Sequence, residues 1–242
     1  MTHSHFDCIG FSVSNENDLR KMVKKMSKQL EPFPGKDYKD FSFALYEEQS
    51  GIQIYYTLKG TDISTINPHF KGKTKARLKL YEWFITEEGD SLIEAETAEA
   101  DEPVPMLFSM PDYFLQLEED LGELADIQIT AFAEALEVFD NEEEFSEAAT
   151  VESEDGEPLN FDKDFFIPEG MFNEENPEAR ALFAATVKEK TEYTNKLTGK
   201  NFFVLRASGM FDTDIVLTRE MGENVKVGQI IQGQFWLSGK PV

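Results

Sequence analysis

Hydrophobic and polar residues follow two different periods along the chain, and each period predicts a different kind of element. Over residues 14–30, SNENDLRKMVKKMSKQL, apolar side chains recur every three or four positions. This spacing places them on one stripe of a helix, with Lys and Arg on the other face. Ser14 or Asn15 can cap the first turn, and Pro and Gly in EPFPGKD (31–37) end the helix. We therefore predict one clear amphipathic helix near the N-terminus.

Several other segments alternate between apolar and polar residues, which is the period of a strand. The strands predicted in the first half cover residues 5–13, 40–48, 50–60, 73–86, 89–100 and 125–139, the last with a helix-like tail. Residues 61–72 are predicted to form a loop, and residues 97–114, which contain three prolines, a connection. The segment NEEEFSEAA is predicted to be a short acidic helix capped by Asn141.

The last third of the chain has the clearest strand pattern. It contains ARALFAATVKEKTEYT, NFFVLRASG and FDTDIVLT, then a short helical turn or loop, REMGENVKVG, and finally QIIQGQFWLSGK. In order and spacing this series resembles the OB-fold class of small barrels. The resemblance implies a barrel from about residue 179, with Gly233 at a bulge or bend of the last strand. KARLKLYEWFI, followed later by ADIQITAFAEALEVF, has the same long-strand pattern as LFAATVKEK and NFFVLRASG, which leaves open two related β-units in one chain.

Together these elements predict an α+β fold in which antiparallel sheets dominate. We divide the chain into an α+β domain with an acidic second half (1–150), a packed acidic connecting loop (151–178) and an OB-like β-barrel (179–242). The connecting loop can be an exposed linker or a segment folded onto the body. Its repeated phenylalanines favour the packed alternative.

Charge is distributed unevenly along the 242 residues. The chain has 23 basic and 47 acidic side chains and a net charge of −24. Residues 1–79 carry 13 basic and 9 acidic side chains, whereas residues 82–182 carry 2 basic and 32 acidic ones. A surface built from the second segment repels phosphate backbones and anionic lipid, so generic nucleic-acid binding is disfavoured. The acidic segment either serves solubility or forms a face that suits a basic protein partner, including by mimicry of nucleic acid.

The sequence also predicts a compartment. No apolar run approaches the ~20 residues that a helix needs to cross a bilayer, and the opening MTHSHFDCIGF does not resemble a secretion signal. The single cysteine, Cys8, cannot form an internal disulfide, and we expect it to be a buried structural thiol. We therefore expect a soluble cytoplasmic protein that does not bind membranes.

Short motifs for phosphate, dinucleotide, hydrolase and zinc chemistry are missing from the sequence. The three histidines, at positions 3, 5 and 69, leave few candidates for a general base at neutral pH. His3 and His5, with the neighbouring Asp7 and Cys8, have a spacing that can hold a metal, but we favour a frayed terminus. We therefore predict no cofactor and no metal, and an enzyme is the less favoured class.

The remaining candidate contacts with a ligand or partner come from acidic and aromatic residues. Asp212 and Asp214 lie on one side of a predicted strand, as paired catalytic carboxylates do. Adjacent strand positions point to opposite faces, so we expect Phe235 in the core and Trp236 at a barrel seam or domain junction. The candidate contacts are Trp83, Trp236, Asp212, Asp214, Glu142, Glu143 and Glu144.

These observations favour a non-catalytic binding protein for a basic protein partner, of the inhibitor or immunity type. Two alternatives remain open: an enzyme with carboxylates in an inter-domain cleft, and an OB-like module for an oligosaccharide or a short single strand. The sequence also leaves room for a homo-oligomer. If the basic face of the N-terminal helix meets the acidic segment of the same chain or of a second copy, its lysines offset part of that charge. We favour the alternative, in which this face is a separate solvated basic patch.

Overall fold

The computed structural model describes residues 4–32, 41–86, 89–98, 102–112, 121–152, 158–173 and 176–242. Within these ranges 53% of the residues lie in strands and 14% in helices. The predicted dominance of sheets is confirmed, whereas the helical share is well below that of an average globular chain. The molecule is mostly β, with a few short helices.

The described ranges contain helices α1 (His5–Cys8), α2 (Glu16–Met26), α3 (Glu142–Ala148) and α4 (Arg219–Gly222), and a 3-10 turn (Glu169–Met171). Helix α2 is the predicted amphipathic helix. The Asn15 side chain accepts a hydrogen bond from the backbone N–H of Asp18, and Met22 and Met26 are buried. Helix α3 is the predicted acidic helix, and Asn141 caps it in the same way.

Helix α1 replaces the strand that we predict from residue 5 onward. The Ser4 side chain accepts a hydrogen bond from the backbone N–H of Phe6, and the Asp7 carboxylate accepts one from the backbone N–H of Ser4. This reciprocal capping box starts a helical turn at residues whose alternating polarity suggests a strand. The prediction is wrong here because a local cap outweighs a short alternating pattern.

A four-stranded antiparallel sheet is built from β1 (Glu31–Pro32), β2 (Phe41–Glu47), β3 (Ile52–Lys59) and β4 (Asp62–Phe70) in that order. The strands predicted over residues 40–48 and 50–60 correspond to β2 and β3, which pair as an antiparallel hairpin. The loop predicted over residues 61–72 is instead largely strand β4, which pairs with β3 after a tight turn at Gly60. Pro68 is compatible with this assignment because β4 lies at the edge of the sheet.

The remaining strands are β5 (Ala76–Ile85), β6 (Ser91–Thr97), β7 (Pro105–Ser109), β8 (Leu124–Phe139), β9 (Thr150–Glu152), β10 (Pro158–Asn160), β11 (Phe166–Ile167), β12 (Arg180–Thr194), β13 (Asn201–Ser208), β14 (Asp212–Thr218) and β15 (Ile230–Pro241). Strands β9 and β10 form a separate pair. Strand β7 lies in the segment predicted as a connection. The predicted helix-like tail of β8 is wrong, because β8 stays paired with β15 as far as Phe139.

Strand pairing closes two rings of five strands. One ring runs β5-β6-β7-β15-β8 and returns to β5, and the other runs β12-β13-β14-β8-β15 and returns to β12. Strands β8 and β15 belong to both rings. Pairing is antiparallel except between β14 and β8 and between β15 and β7. The barrel that the sequence places after residue 179 therefore shares a ring with β8, which comes from the first half of the chain.

The interiors of the two rings form one continuous apolar cluster. It includes Leu78 and Phe108 from the first ring, Phe183 and Leu205 from the second, and Phe235 from the shared strand β15. A second cluster joins α1, α2 and the four-stranded sheet to the outer side of the second ring. Helix α2 packs on the N-terminal sheet, where the Tyr56 hydroxyl lies 3.5 Å from the Met26 sulfur.

Within the described parts of the predicted connecting loop, Phe166 is buried in the main cluster, whereas Phe172 is exposed. The division at residues 150 and 178 remains a prediction, and the pairings of β8 and β15 run across it. Among the described helices, none has the length and apolar character that crossing a membrane requires.

Candidate functional site

Asp212 and Asp214 do not form a pair of converging carboxylates. Asp212 is exposed, whereas Asp214 is buried. One oxygen of Asp214, Oδ2, accepts hydrogen bonds from the backbone N–H groups of Lys73 and Thr74 and from the Thr74 hydroxyl, at 2.7–2.9 Å. A side chain at Gly72 would collide with this carboxylate, since an added Cβ lies 1.9 Å from Oδ2. Asp214 thus fastens the segment between β4 and β5 to β14.

A line of buried polar groups continues from Asp214 into the molecule. Gln128 Nε2 donates to Asp214 Oδ2 at 3.1 Å, and Gln128 Oε1 lies 2.9 Å from His69 Nε2. His69 Nδ1 lies 2.9 Å from the Ser238 hydroxyl. Burial, helped by the positive charge of Lys240, lowers the pKa of His69 to about 3. The ring is therefore neutral at pH 7, and we assign its proton to Nε2 because Gln128 Oε1 can only accept.

A second buried polar group lies beside His69. Lys240 Nζ donates to the Tyr55 hydroxyl at 2.8 Å and lies 3.1 Å from Asp112 Oδ2. Burial, and then the negative charge of Asp112, raise the pKa of Tyr55. The Lys240 and Asp112 charges offset each other inside the fold, so this group joins β3, β15 and the end of β7.

These buried residues are not visible as a group in the sequence. His69 is 59 positions from Gln128 and 169 positions from Ser238. Each lies in a strand that also carries other polar residues, such as Asn67 in β4 and Thr130 in β8. A polar residue on the buried side of a strand is the only sequence signal for them, and it does not identify the partner.

A bulge in β8 turns Glu134 toward the N-terminus. The register passes from Gln234 opposite Ala135 to Phe235 opposite Ala133, which leaves Glu134 as the extra residue. Its carboxylate lies 3.1 Å from His5 Nε2 and 3.1 Å from Arg180 Nε. Burial alone raises the pKa of Glu134, but the contacts with His5 and Arg180 outweigh burial and hold that pKa below its usual value.

Trp236 lies beside this ion pair. Its ring is stacked on His5, with centroids 4.5 Å apart and planes 11° apart, and it also contacts Phe132. Phe235, the preceding residue, is fully buried in the main core. Phe235 is core, as expected, and Trp236 packs against members of two apolar clusters. Its place at a barrel seam or domain junction stays a prediction.

A cleft of about 500 Å³ opens at Trp236, and we name it the Trp236 cleft. Its lining includes Ile66, Leu92 and Trp236 as apolar side chains and Asp90, Ser109 and Arg180 as polar ones. Elements distant in sequence meet here, namely β4, the hairpin of β5 and β6, β7, β15 and the start of β12. Of the residues predicted from the sequence as ligand contacts, only Trp236 lines this cleft.

The predicted acidic contacts lie elsewhere, on α3. We name the exposed carboxylates from the end of β8 through this helix the α3 acidic surface: Glu137, Asp140, Glu142, Glu143, Glu144 and Glu147. Glu142 is paired with Lys163 at 2.6 Å. Among the described residues, neither Glu143 nor Glu144 forms an ion pair. Trp83 is partly buried and packs against the main core.

Cys8 is buried, as expected. Its thiol donates to the Ala133 carbonyl at 3.2 Å, and burial raises its pKa to about 12. A thiol in this state is a poor nucleophile. His3, one of the four residues whose spacing can hold a metal, lies outside the described residues. Among the described residues, no three His, Cys, Asp or Glu side chains converge as metal ligands.

Comparisons of the chain with protein-family models, with curated proteins and with solved structures found no match.

Proposed function

We propose that this chain is a non-catalytic binding protein of the inhibitor or immunity type, and that the α3 acidic surface receives a basic protein partner. The observation that carries the proposal is the exposure of the carboxylates of α3. Glu142, Glu143 and Glu144 are all exposed in the first turn of the helix, and Lys163 is the one described cation paired with any of the three.

The position of these charges suits fast association. Exposed carboxylates of one sign steer a basic partner toward a surface and raise its association rate. Three of them also lie at the N-terminus of α3, where the helix dipole favours negative charge, so the surface costs the fold little. The chain as a whole, with a net charge of −24, adds to the attraction.

The test is capture of basic proteins from a native lysate by the immobilised protein at about 0.1 M and about 1 M salt, where the screening length falls from about 10 Å to about 3 Å. We compare the natural chain with a variant carrying Glu142→Gln, Glu143→Gln and Glu144→Gln. A matched control carries Glu16→Gln, Glu192→Gln and Glu220→Gln, which remove equal charge from exposed positions elsewhere.

We expect a basic protein that the natural chain and the control capture at low salt, and that the α3 variant or high salt releases. Equal capture by all three proteins would assign the binding to general charge rather than to α3. Recovery of no partner at low salt would contradict the proposal.

We also propose that both five-stranded rings are OB-like barrels that arose from two related β-units. The pairing scheme supports this. In the second ring β12, β13 and β14 form a meander, β15 pairs back onto β12, and β8 lies between β14 and β15, parallel to β14. The first ring repeats the scheme with β5, β6 and β7, and with β8 and β15 exchanged.

A cytoplasmic location is part of the same proposal. The buried thiol of Cys8, which is in no disulfide, supports it, because such a thiol is usual in a reducing compartment.

A further inference from the structure

The Trp236 cleft has the size of a small-molecule site. Its volume of about 500 Å³ falls within the range of about 300–1,000 Å³ that is usual for ligand pockets. Apolar side chains and a few polar groups line it together, which is the common composition of such pockets. No residue of α3 lines the cleft.

The charges of the cleft favour a cation. The guanidinium of Arg180 is already paired with Glu134 at 3.1 Å and with Glu178 at 2.7 Å. Asp90 has no cationic partner among the described residues. Its Oδ1 accepts from the Asn67 amide at 2.6 Å, which orients the carboxylate without neutralising it. The excess charge is therefore negative, and it opposes an anionic ligand.

An unused hydrogen-bonding group lies in the same lining. Ser109 is 2% exposed, and its hydroxyl has no hydrogen-bond partner in the part of the chain that the structure describes. Leaving a buried hydroxyl unpaired is unfavourable. A ligand N–H group in the cleft can donate to this oxygen and remove that cost.

The aromatic side of the cleft argues against a sugar or base stacked on Trp236. One ring face is covered by His5 at 4.5 Å, and Phe132 packs against the indole as well, with centroids 5.6 Å apart. The side chains of Ile66 and Leu92 remain available to contact an aliphatic chain. This combination suits a charged head on an apolar stem.

We propose that the Trp236 cleft binds a ligand with a primary ammonium or guanidinium head on an apolar stem, with Asp90 as its ion-pair partner and Ser109 as a hydrogen-bond acceptor. The head can belong to a free amine or to a Lys or Arg side chain of a protein. The inference does not rest on the proposed function of the α3 acidic surface.

Isothermal titration calorimetry on the full chain tests it with three probes. Agmatine represents a free cation, Nα-acetyl-lysine methylamide represents a protein side chain, and pentanoate is an anion with a similar stem. Asp90→Asn removes the charge and keeps the acceptor for Asn67. Glu94→Gln is the matched control, because Glu94 is a partly exposed carboxylate on neighbouring β6 and does not line the cleft.

We expect one of the two cationic probes to bind the natural chain and the Glu94→Gln variant equally. Asp90→Asn should weaken that binding at least tenfold, and Ser109→Ala should weaken it several-fold. Stronger binding of agmatine would assign the cleft to free amines, and stronger binding of the lysine derivative would assign it to a protein side chain.

Equal binding by the natural chain and Asp90→Asn, a preference for pentanoate, or no binding of either cation would overturn the proposal. The thermal melting of Asp90→Asn shows whether the variant is folded, and Ser109→Ala gives a second measurement inside the cleft. The α3 variant should keep its affinity for the cation, so failure of the proposed function is distinguishable from failure of this inference.

Discussion

His69 is held neutral by its surroundings, and this has a consequence for stability. Its ring is buried, both nitrogens are in hydrogen bonds, and the charge of Lys240 opposes protonation. In the unfolded chain the same imidazole has an ordinary pKa near 6.5. Below that pH the unfolded state binds a proton that the folded state refuses, so acid favours unfolding.

We therefore expect the free energy of unfolding to be unaffected by His69 above pH 6.5 and to fall as the pH drops toward about 3. Where His69 alone titrates, the slope is about 1.4 kcal/mol per pH unit. Denaturant unfolding between about pH 6.5 and about pH 5 measures it, before most carboxylates titrate. His69→Gln should lose most of this slope, whereas His5→Gln should keep it. An equal slope in the natural chain and in His69→Gln would contradict the assignment of this pH dependence to His69.

Gly233 is required by a close approach of two strands. It lies in β15 between β12 and β8, and a Cβ built on it would lie 2.1 Å from the carbonyl oxygen of Ala135. The irregularity in the pairing of β15 with β8 falls one residue later, at Gln234 and Phe235, and its extra residue, Glu134, belongs to β8 rather than to the last strand. The sequence therefore identifies Gly233 as a special position, but the reason is backbone contact rather than the bulge itself.

We expect Gly233→Val to lower the melting temperature by at least about 4 °C, because overpacking a strand contact costs about 1–3 kcal/mol or more. Gln234→Val, at the exposed neighbour on the same strand, is the control and should change it by less than about 2 °C. Thermal unfolding followed by circular dichroism makes the comparison. An unchanged melting temperature for Gly233→Val would show that β15 and β8 do not approach each other this closely at Gly233.

At the scale of elements, helix α2 carries its basic residues on the exposed side. Arg20 is paired with Glu16 and Lys21 with Asp18, all within the helix. Exposed pairs of this kind contribute little to the stability of a fold. The lysines of α2 are thus best explained as a solvated face that does not hold the fold together.

Reversal of Lys21, Lys24 and Lys28 to Glu tests this directly. We expect the elution volume in size-exclusion chromatography to stay the same at low and moderate salt, and the melting temperature to change by less than about 2 °C. A later elution volume, or a melting temperature lower by several degrees, that occurs only at low salt would instead show that the basic face meets acidic residues of the same chain or of a second copy.

Elements with a strong local signal are predictable from the sequence, and α2 and the strands after residue 179 show this. Helix α2 has both a cap at Asn15 and a long apolar stripe, and β12 to β15 alternate and are separated by clear turns. Strands β4 and β7 are missed because prolines such as Pro68 and Pro105 indicate a loop locally. Their strand conformation comes from pairing with distant neighbours, which no local pattern contains.

The candidate site is less predictable than the elements, for the same reason. The exposed glutamates of α3 follow from sequence alone, since a charged run on a short helix is solvated. The Trp236 cleft does not, because Asp90, Ser109 and Arg180 come together only through the closure of the rings. Of its lining, Trp236 alone has a sequence signal, a large aromatic next to a core phenylalanine.

In the whole molecule, strands β8 and β15 belong to both rings. Each ring needs β8 and β15 to close, so neither ring can open fully without exposing part of the other. The apolar cluster is likewise continuous across the two rings. We therefore expect the two rings to unfold as one cooperative unit, even though the sequence suggests separate domains.

Native-state hydrogen exchange over a range of low denaturant concentrations tests this claim most directly. We expect the slowest amides of β6 in the first ring, of β13 in the second ring and of the shared strand β8 to report the same opening free energy and the same denaturant dependence. Amides of β12 to β14 that open at a distinctly lower free energy, while β5 to β7 remain protected, would contradict it.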